Sequence, residues 1–191
     1  MKTTTLQKIS LSAALLLTLV CKSQTIADTV KKSSSNPQNR FAIGYNLSQY
    51  QKDFGVGINL TSPYVAKFMA FRLVSNMQWF ENIPNGETNF RWNTYYNFRF
   101  GVVTRQFLIS NKISLYSEGG LIAILPNSNT SSVTLKLGGY GLFGFEFHPS
   151  PNFSQFIETG GIGTDAVADK LPGNPIYCNG FLVSAGFRIH F

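Results

Sequence analysis

The sequence predicts an all-β chain, an eight-stranded antiparallel up-and-down transmembrane β-barrel, and three observations predict it. The last eleven residues alternate strictly, with Phe181, Val183, Ala185, Phe187, Ile189 and Phe191 on one face and Leu182, Ser184, Gly186, Arg188 and His190 on the other. A membrane-crossing strand needs about nine to eleven residues, apolar toward lipid and polar toward the lumen. The rest of the chain after Arg40 is likewise a succession of period-two segments cut by turn residues, with no useful stretch of helical period. Beyond the N-terminal segment no run approaches the roughly 18 apolar residues of a helical membrane span, so strands are left to do the crossing.

The elements follow in order. Lys2 and Lys8 flank the start of the apolar run Leu11-Ser-Ala-Ala-Leu-Leu-Leu-Thr-Leu-Val20. Residues 1–23 therefore read as a secretory signal peptide, too short to span a bilayer as a helix. A small residue precedes the cut after either Ser23 or Ala27, so both cleavage sites are open. Cys21 raises lipidation, but Thr18-Leu19-Val20 lacks the small residue expected beside an acylated cysteine. Residues 24–39, with Lys31-Lys32-Ser-Ser-Ser-Asn-Pro37, read as a flexible periplasmic leader. Residues 40–191 hold the barrel.

Its first strand sets Phe41, Ile43, Tyr45 and Leu47 against Ala42, Gly44 and Asn46, and after a connection from Ser48 to Asp53 the second sets Phe54, Val56, Ile58 and Leu60 against Gly55, Gly57 and Asn59. The third opposes Met69, Phe71, Leu73, Met77 and Trp79 to Arg72, Val74, Asn76 and Gln78, followed by a loop from Glu81 to Asn89. In the fourth, Trp92, Tyr96, Phe98, Phe100 and Val102 face away from Arg91, Asn93, Asn97, Arg99 and Gly101. The fifth covers about Ile113 to Leu125, with Tyr116 and Glu118 opposite Leu115 and Leu121. Pro126 to Ser132 breaks it, and the sixth sets Val133, Leu135, Leu137, Phe143, Phe145 and Phe147 against Thr134, Lys136, Gly138, Tyr140, Gly144 and Glu146. His148-Pro-Ser-Pro-Asn152 turns the chain into a less regular seventh strand, Phe153 to Thr164, and the eighth is the terminal one.

The breaks alternate in character. Those after strands two, four and six are short, whereas those after three, five and seven are longer and richer in Asn, Gly and Pro. Short periplasmic turns and long outer loops are the pattern of outer-membrane barrels, with both termini in the periplasm; only the short first outer connection departs from it.

A soluble lipocalin-like barrel with an apolar interior shows the same alternation, and the polar face discriminates. A water-facing surface carries charge at about a quarter to a third of its positions, whereas here it is mainly Gly, Asn, Ser, Thr and Tyr. Its charges are few and of both signs: Arg72, Arg91, Arg99, Lys136 and Arg188 with Glu118, Glu146 and Glu158. These eight are the expected lumenal polar network, paired in a lumen just wide enough for side chains to fill. Tyr45, Trp79, Trp92 and Tyr96 lie near strand ends, where membrane interfaces recruit aromatics.

The segment Gly144-Phe-Glu-Phe-His-Pro-Ser-Pro-Asn-Phe-Ser-Gln-Phe-Ile-Glu-Thr-Gly-Gly-Ile-Gly163, with Asn179-Gly-Phe and Gly186-Phe-Arg-Ile-His-Phe191, resembles the small outer-membrane β-barrel domain proteins of Bacteroidetes-type bacteria. The resemblance covers about Arg40 to Phe191. It implies the fold and an outer-membrane location, and for most members no defined activity.

Candidate chemistry is sparse. Outer-membrane lipid A deacylases share the barrel and use a His-x-Ser element with a downstream acid, in which His deprotonates Ser for attack on an ester. His148-Pro-Ser150 has that form, but its prolines place it in a turn on the periplasmic side, and Glu158 follows at another spacing. The two histidines, His148 and His190, and Cys178 show no metal-ligand spacing. Gly160-Gly161-Ile-Gly163 lacks the helix and basic residue of a nucleotide loop, so close strand packing accounts for it. The longest outer loop, Asp165 to Gly180, is either a passive solvated loop or a surface-binding one.

Loss of residues 1–23 removes Lys2, Lys8 and Lys22 and no acid, lowering the formal charge from +7 to +4, too little to argue for nucleic acid. It also leaves Cys178 as the single thiol, so no internal disulfide forms. The expectation is an outer-membrane protein, monomeric, with no cofactor, no metal and no catalytic residue, whose role is structural or surface-binding. Its partners are outer-membrane lipid and the barrel-insertion machinery, the latter through Phe187, Ile189 and Phe191 of the last strand. A narrow channel and a lipid A-modifying hydrolase are the alternatives.

Overall fold

A computed structural model describes residues 39–191 apart from 66–67, 84–89, 105 and 111, so the signal peptide and nearly all of the leader lie outside the described residues. The strands are β1 (Ala42–Tyr50), β2 (Asp53–Thr61), β3 (Met69–Asn82), β4 (Arg91–Thr104), β5 (Phe107–Ser110), β6 (Ile113–Leu125), β7 (Lys136–Ser150), β8 (Phe153–Gly163), β9 (Ala166–Val167), β10 (Ile176–Tyr177) and β11 (Gly180–His190). One sheet runs β4-β3-β2-β1-β11-β8-β7-β6-β5 and closes on itself through β4 against β6. β4 and β5 pair with successive parts of β6 and are two pieces of one stave, which makes the barrel eight-stranded. Every neighbouring pair is antiparallel, and β1 meets β11 from Ala42 opposite His190 to Tyr50 opposite Leu182. Both termini of the barrel therefore lie at one end, the terminal end; the long connections crowd the other, the loop end.

The alternation of side chains decides which face is which. Ile58, Phe100, Leu121, Phe143 and Ile157 point outward and are more than half exposed, while Arg72, Arg99, Arg188, Glu118, Glu146 and Glu158 are buried inside. A barrel in water would reverse this, because an exposed apolar surface of such extent is costly and buried charge more so. The apolar exterior and polar interior are those of a membrane barrel, and the inside-out, lipocalin-like alternative does not hold. Among the described residues no helix is long and apolar enough to cross a membrane.

Boundaries differ from the sequence reading in several places, and the turn expected at His148 to Asn152 is one: β7 runs on through His148, Pro149 and Ser150, which pairs with Phe153, so the turn itself is Pro151 and Asn152. The first hairpin is tighter: β1 runs on to Tyr50 and β2 starts at Asp53, because Tyr50 and Asp53 oppose each other with both side chains turned into the barrel. β3 continues through Glu81 and Asn82, which pair with Trp92 and Arg91. β7 begins at Lys136, and Val133 and Leu135 precede it as exposed loop residues. The cause of the last difference is a second loop: Ser132 binds Asp169, Ser131 Oγ donates to the Val167 carbonyl at 3.3 Å, and Lys170 Nζ donates to the Ser128 carbonyl at 2.8 Å.

Candidate functional site

Inward positions on all eight staves make the barrel interior the candidate site, and it is filled in layers. Repeated inward glycines create the room: a Cβ on Gly57 would collide with the Asn76 amide, and one on Gly144 with the Tyr116 ring. Long side chains from neighbouring strands occupy that space.

At the loop end the layer is apolar and comes largely from the loop after β8. Tyr177 stacks on Phe80 with ring centroids 4.9 Å apart and meets Tyr95 edge-on at 4.8 Å. Ala166, Ala168 and Cys178 are buried beside them with Ile122, Ile124, Ile162 and Leu182. Asp53 anchors the loop by accepting from the Tyr95 hydroxyl (2.7 Å) and the Cys178 amide (2.6 Å). Burial pushes the Cys178 thiol up to about 12 and the Tyr177 phenol up to about 12. The longest loop is thus a plug and not a passive solvated segment. Outside the plug a groove of about 460 Å3 remains, lined by Lys52, Asp53, Phe80, Glu81, Ile176 and Tyr177 among others.

Below the plug lies an amide layer. Asn46 Nδ2 donates to Asn76 Oδ1 at 2.8 Å, Asn76 Nδ2 donates to Asn97 Oδ1 at 2.9 Å, and Gln78 Nε2 donates to Ser48 Oγ at 2.5 Å. Arg99 follows, its guanidinium 5.2 Å above the Tyr140 ring.

The middle of the lumen holds the ion cluster. Glu158 Oε1 accepts from Arg188 Nη2 at 2.6 Å, from Arg72 Nη1 at 3.0 Å and from the Tyr116 hydroxyl at 2.6 Å. Arg72 Nη1 also reaches Glu118 Oε2 at 2.5 Å, and the Tyr140 hydroxyl donates to Glu118 Oε1 at 2.6 Å. Arg188 Nη1 pairs with Glu146 Oε2 at 3.1 Å, its Nε donates to Asn59 Oδ1, and its plane lies 3.7 Å over the Phe156 ring. Charges in a low-dielectric interior persist only when paired and hydrogen-bonded, which this arrangement achieves.

Six of the eight charged residues expected in the lumen, Arg72, Arg99, Glu118, Glu146, Glu158 and Arg188, are buried there, and all but Arg99 share the ion pairs just described. Arg91 and Lys136 carry the right parity but open β4 and β7 at the loop end, where Arg91 is exposed and Lys136 half-buried. Phe187, Ile189 and Phe191 point outward as expected, at 40%, 44% and 67% exposure.

The terminal end carries a smaller constellation that spacing along the chain does not reveal. Glu146 and His148 are both inward on β7, and His190 is inward on β11 two strands away. Ser154 of the intervening β8 sits between Glu146 Oε1 (2.5 Å) and His190 Nε2 (2.8 Å), and Ser114 of β6 lies 3.1 Å from His148 Nε2. Strand parity was the available signal, since each of these residues falls on the lumenal face. The His148-Pro-Ser150 reading fails locally: Ser150 is exposed, His148 faces Ser114, and Glu158 is committed to two arginines. At Gly160 an added Cβ would collide with the Gly141 carbonyl, as close strand packing requires, whereas Gly161 and Gly163 have open space on the outer face.

No protein-family model and no curated protein matches the sequence. Among solved structures the chain is similar to the N-terminal β-barrel domain of Pseudomonas aeruginosa OprF, with a TM-score of 0.57 and 11% identity over 81% of this chain and 98% of that one. It is also similar to the outer membrane protein OprG from Pseudomonas aeruginosa, with a TM-score of 0.52 and 10% identity over 82% and 99% of the two chains. At such identities the likeness carries the fold.

Proposed function

We propose that this chain is an integral outer-membrane barrel with a closed lumen, exported by the segment 1–23, whose role is structural or the display of its loop end. In this reading the loop end faces outward and the terminal end the periplasm, which the lengths of the connections support. The likeness to OprG, itself an outer membrane protein, supports the location, as does the resemblance to the Bacteroidetes-type barrels. Phe187, Ile189 and Phe191 then serve contact with lipid and the insertion machinery, and the chain works as a monomer.

The observation that carries the reading is the double closure of the lumen. The Tyr177 and Cys178 plug seals the loop end, and the cluster of Arg72, Arg188, Glu118, Glu146 and Glu158 fills the middle. A conducting path would have to break ion pairs that are held on both sides by tyrosines and an asparagine. The groove beside Lys52, Glu81 and Ile176 is where a surface ligand would engage, with an exposed apolar side chain and charges of both signs.

Purified protein folded into planar bilayers tests closure. The expected record shows no discrete conductance steps at either polarity; reproducible unitary steps that disappear with boiled, unfolded protein would favour the narrow channel instead.

A further inference from the structure

We propose that Glu146, His148 and His190 form a binding site for a divalent transition-metal ion, of the zinc class, at the terminal mouth of the barrel. The chain has two histidines in 191 residues, and both are here. One donor atom from each of the three residues lies within 4.8 Å of the others, and all three residues are buried. Zinc held by nitrogen and oxygen at about 2.0–2.2 Å places tetrahedral donors about 3.4 Å apart. His190 Nε2 and Glu146 Oε1 are already 3.7 Å apart, close to that separation.

The hydrogen bonds around His148 and Glu146 are those of a prepared pair of ligands. Gln106 Nε2 donates to Glu146 Oε2 at 2.5 Å, which orients the amide so that its Oε1 accepts from the Ser114 hydroxyl at 3.0 Å. With its one proton given to Gln106, Ser114 Oγ must accept from His148 Nε2, and the proton of that imidazole is thereby fixed on Nε2. His148 Nδ1 is left as a bare lone pair, buried and without a partner among the described residues. A ligating imidazole has this arrangement: one ring nitrogen donates to a supporting oxygen and the other is free for the metal. On the carboxylate, Arg188 and Gln106 occupy Oε2 and leave Oε1 as a single donor. His190 Nε2 donates to the Ser154 hydroxyl, which itself donates to Glu146 Oε1; binding the metal through Nε2 moves that proton to Nδ1 and gives up the bond to Ser154, while Ser154 keeps its bond to Oε1.

The donor set, two imidazoles and one carboxylate, suits borderline divalent ions such as Zn2+ and Co2+ in preference to Ca2+ or Mg2+, which take oxygen. An adjoining cavity of about 20 Å3, lined by Arg40, Tyr64, Gln106, Glu146, Arg188 and His190, has room for about one water to complete the coordination.

The test uses the untagged mature protein, folded in detergent and freed of metal by chelator. Titration with Zn2+ by calorimetry should give one site per chain, and Co2+ should develop the visible absorption of a four- or five-coordinate ion. His148→Asn and His190→Asn keep an amide to bond Ser114 and Ser154, and each should weaken binding at least tenfold while preserving the mobility shift of the folded, unboiled barrel. No saturable binding by the folded wild type, or equal binding by a folded His148→Asn/His190→Asn double variant, would overturn the proposal.

Discussion

At the scale of the residue, Glu158 organises the lumen, because one of its oxygens accepts from two arginines and a tyrosine at once. Removing one partner of such a buried pair leaves the other charge uncompensated, at a cost of about 3–5 kcal/mol. Arg188→Met should therefore lower the unfolding free energy of the detergent-folded barrel by about that amount in a urea titration. Adding Glu158→Gln should recover part of the loss, since it removes a charge that Arg188 no longer balances; a strictly additive double variant would contradict the coupling. Space is as finely set as charge. Gly144 leaves its Cβ position to the ring of Tyr116, whose hydroxyl serves Glu158. Gly144→Val must displace that ring, with an expected loss of about 1–3 kcal/mol in the same titration.

At the scale of the element, the loop between β8 and β11 decides how the barrel is capped. Its inner side buries Tyr177 and Cys178, and its outer side is tied to the loop before β7 by Asp169, which accepts from the amide and hydroxyl of Ser132. Those bonds hold the Asp169 carboxyl down at about 2. The tie is fully present above the ordinary carboxylate value and is lost as pH falls through about 2. The Cys178 thiol shifts the opposite way, up to about 12. The protonated, packed form is favoured below the ordinary thiol value, and its contribution is lost as pH rises from there toward 12. A maleimide should consequently label Cys178 slowly in the folded barrel at pH 7.5 and quickly after unfolding, and Asp169→Ala should raise the folded-state rate several-fold. Equal rates for folded and unfolded protein would mean that the loop does not plug the mouth.

Legibility in the sequence follows from the same elements. Period-two patterning located all eight staves and, wherever it assigned faces, the correct ones, because lipid outside and a packed polar lumen inside leave no slack in register; in the Phe153 to Thr164 strand it assigned no alternation beyond Glu158. The plug was not legible, since Asp165 to Gly180 carries turn chemistry whose burial depends on Phe80 and Tyr95 of distant strands. Nor was the meeting of His148 with His190, which the closure of β11 through β8 onto β7 brings about. Arg91 and Lys136 matched the lumenal parity, yet parity says nothing of depth along the barrel, and both sit at its rim.

At the scale of the whole molecule, the exterior is apolar and belongs in lipid. Phe143, in the middle of β7 and 62% exposed, faces outward in this belt. Phe143→Arg should reduce the folding free energy in vesicles by about 2–4 kcal/mol, whereas the same change on a water-facing surface would cost little. Deleting Phe191, which is exposed beyond the end of β11, should lower the folded yield in cells. The most direct measurement is the gel migration of boiled and unboiled protein from outer-membrane fractions. The chain is expected there, with the unboiled form migrating apart from the boiled one as a folded barrel; recovery as a soluble protein with no heat-dependent shift would contradict a lipid-facing barrel.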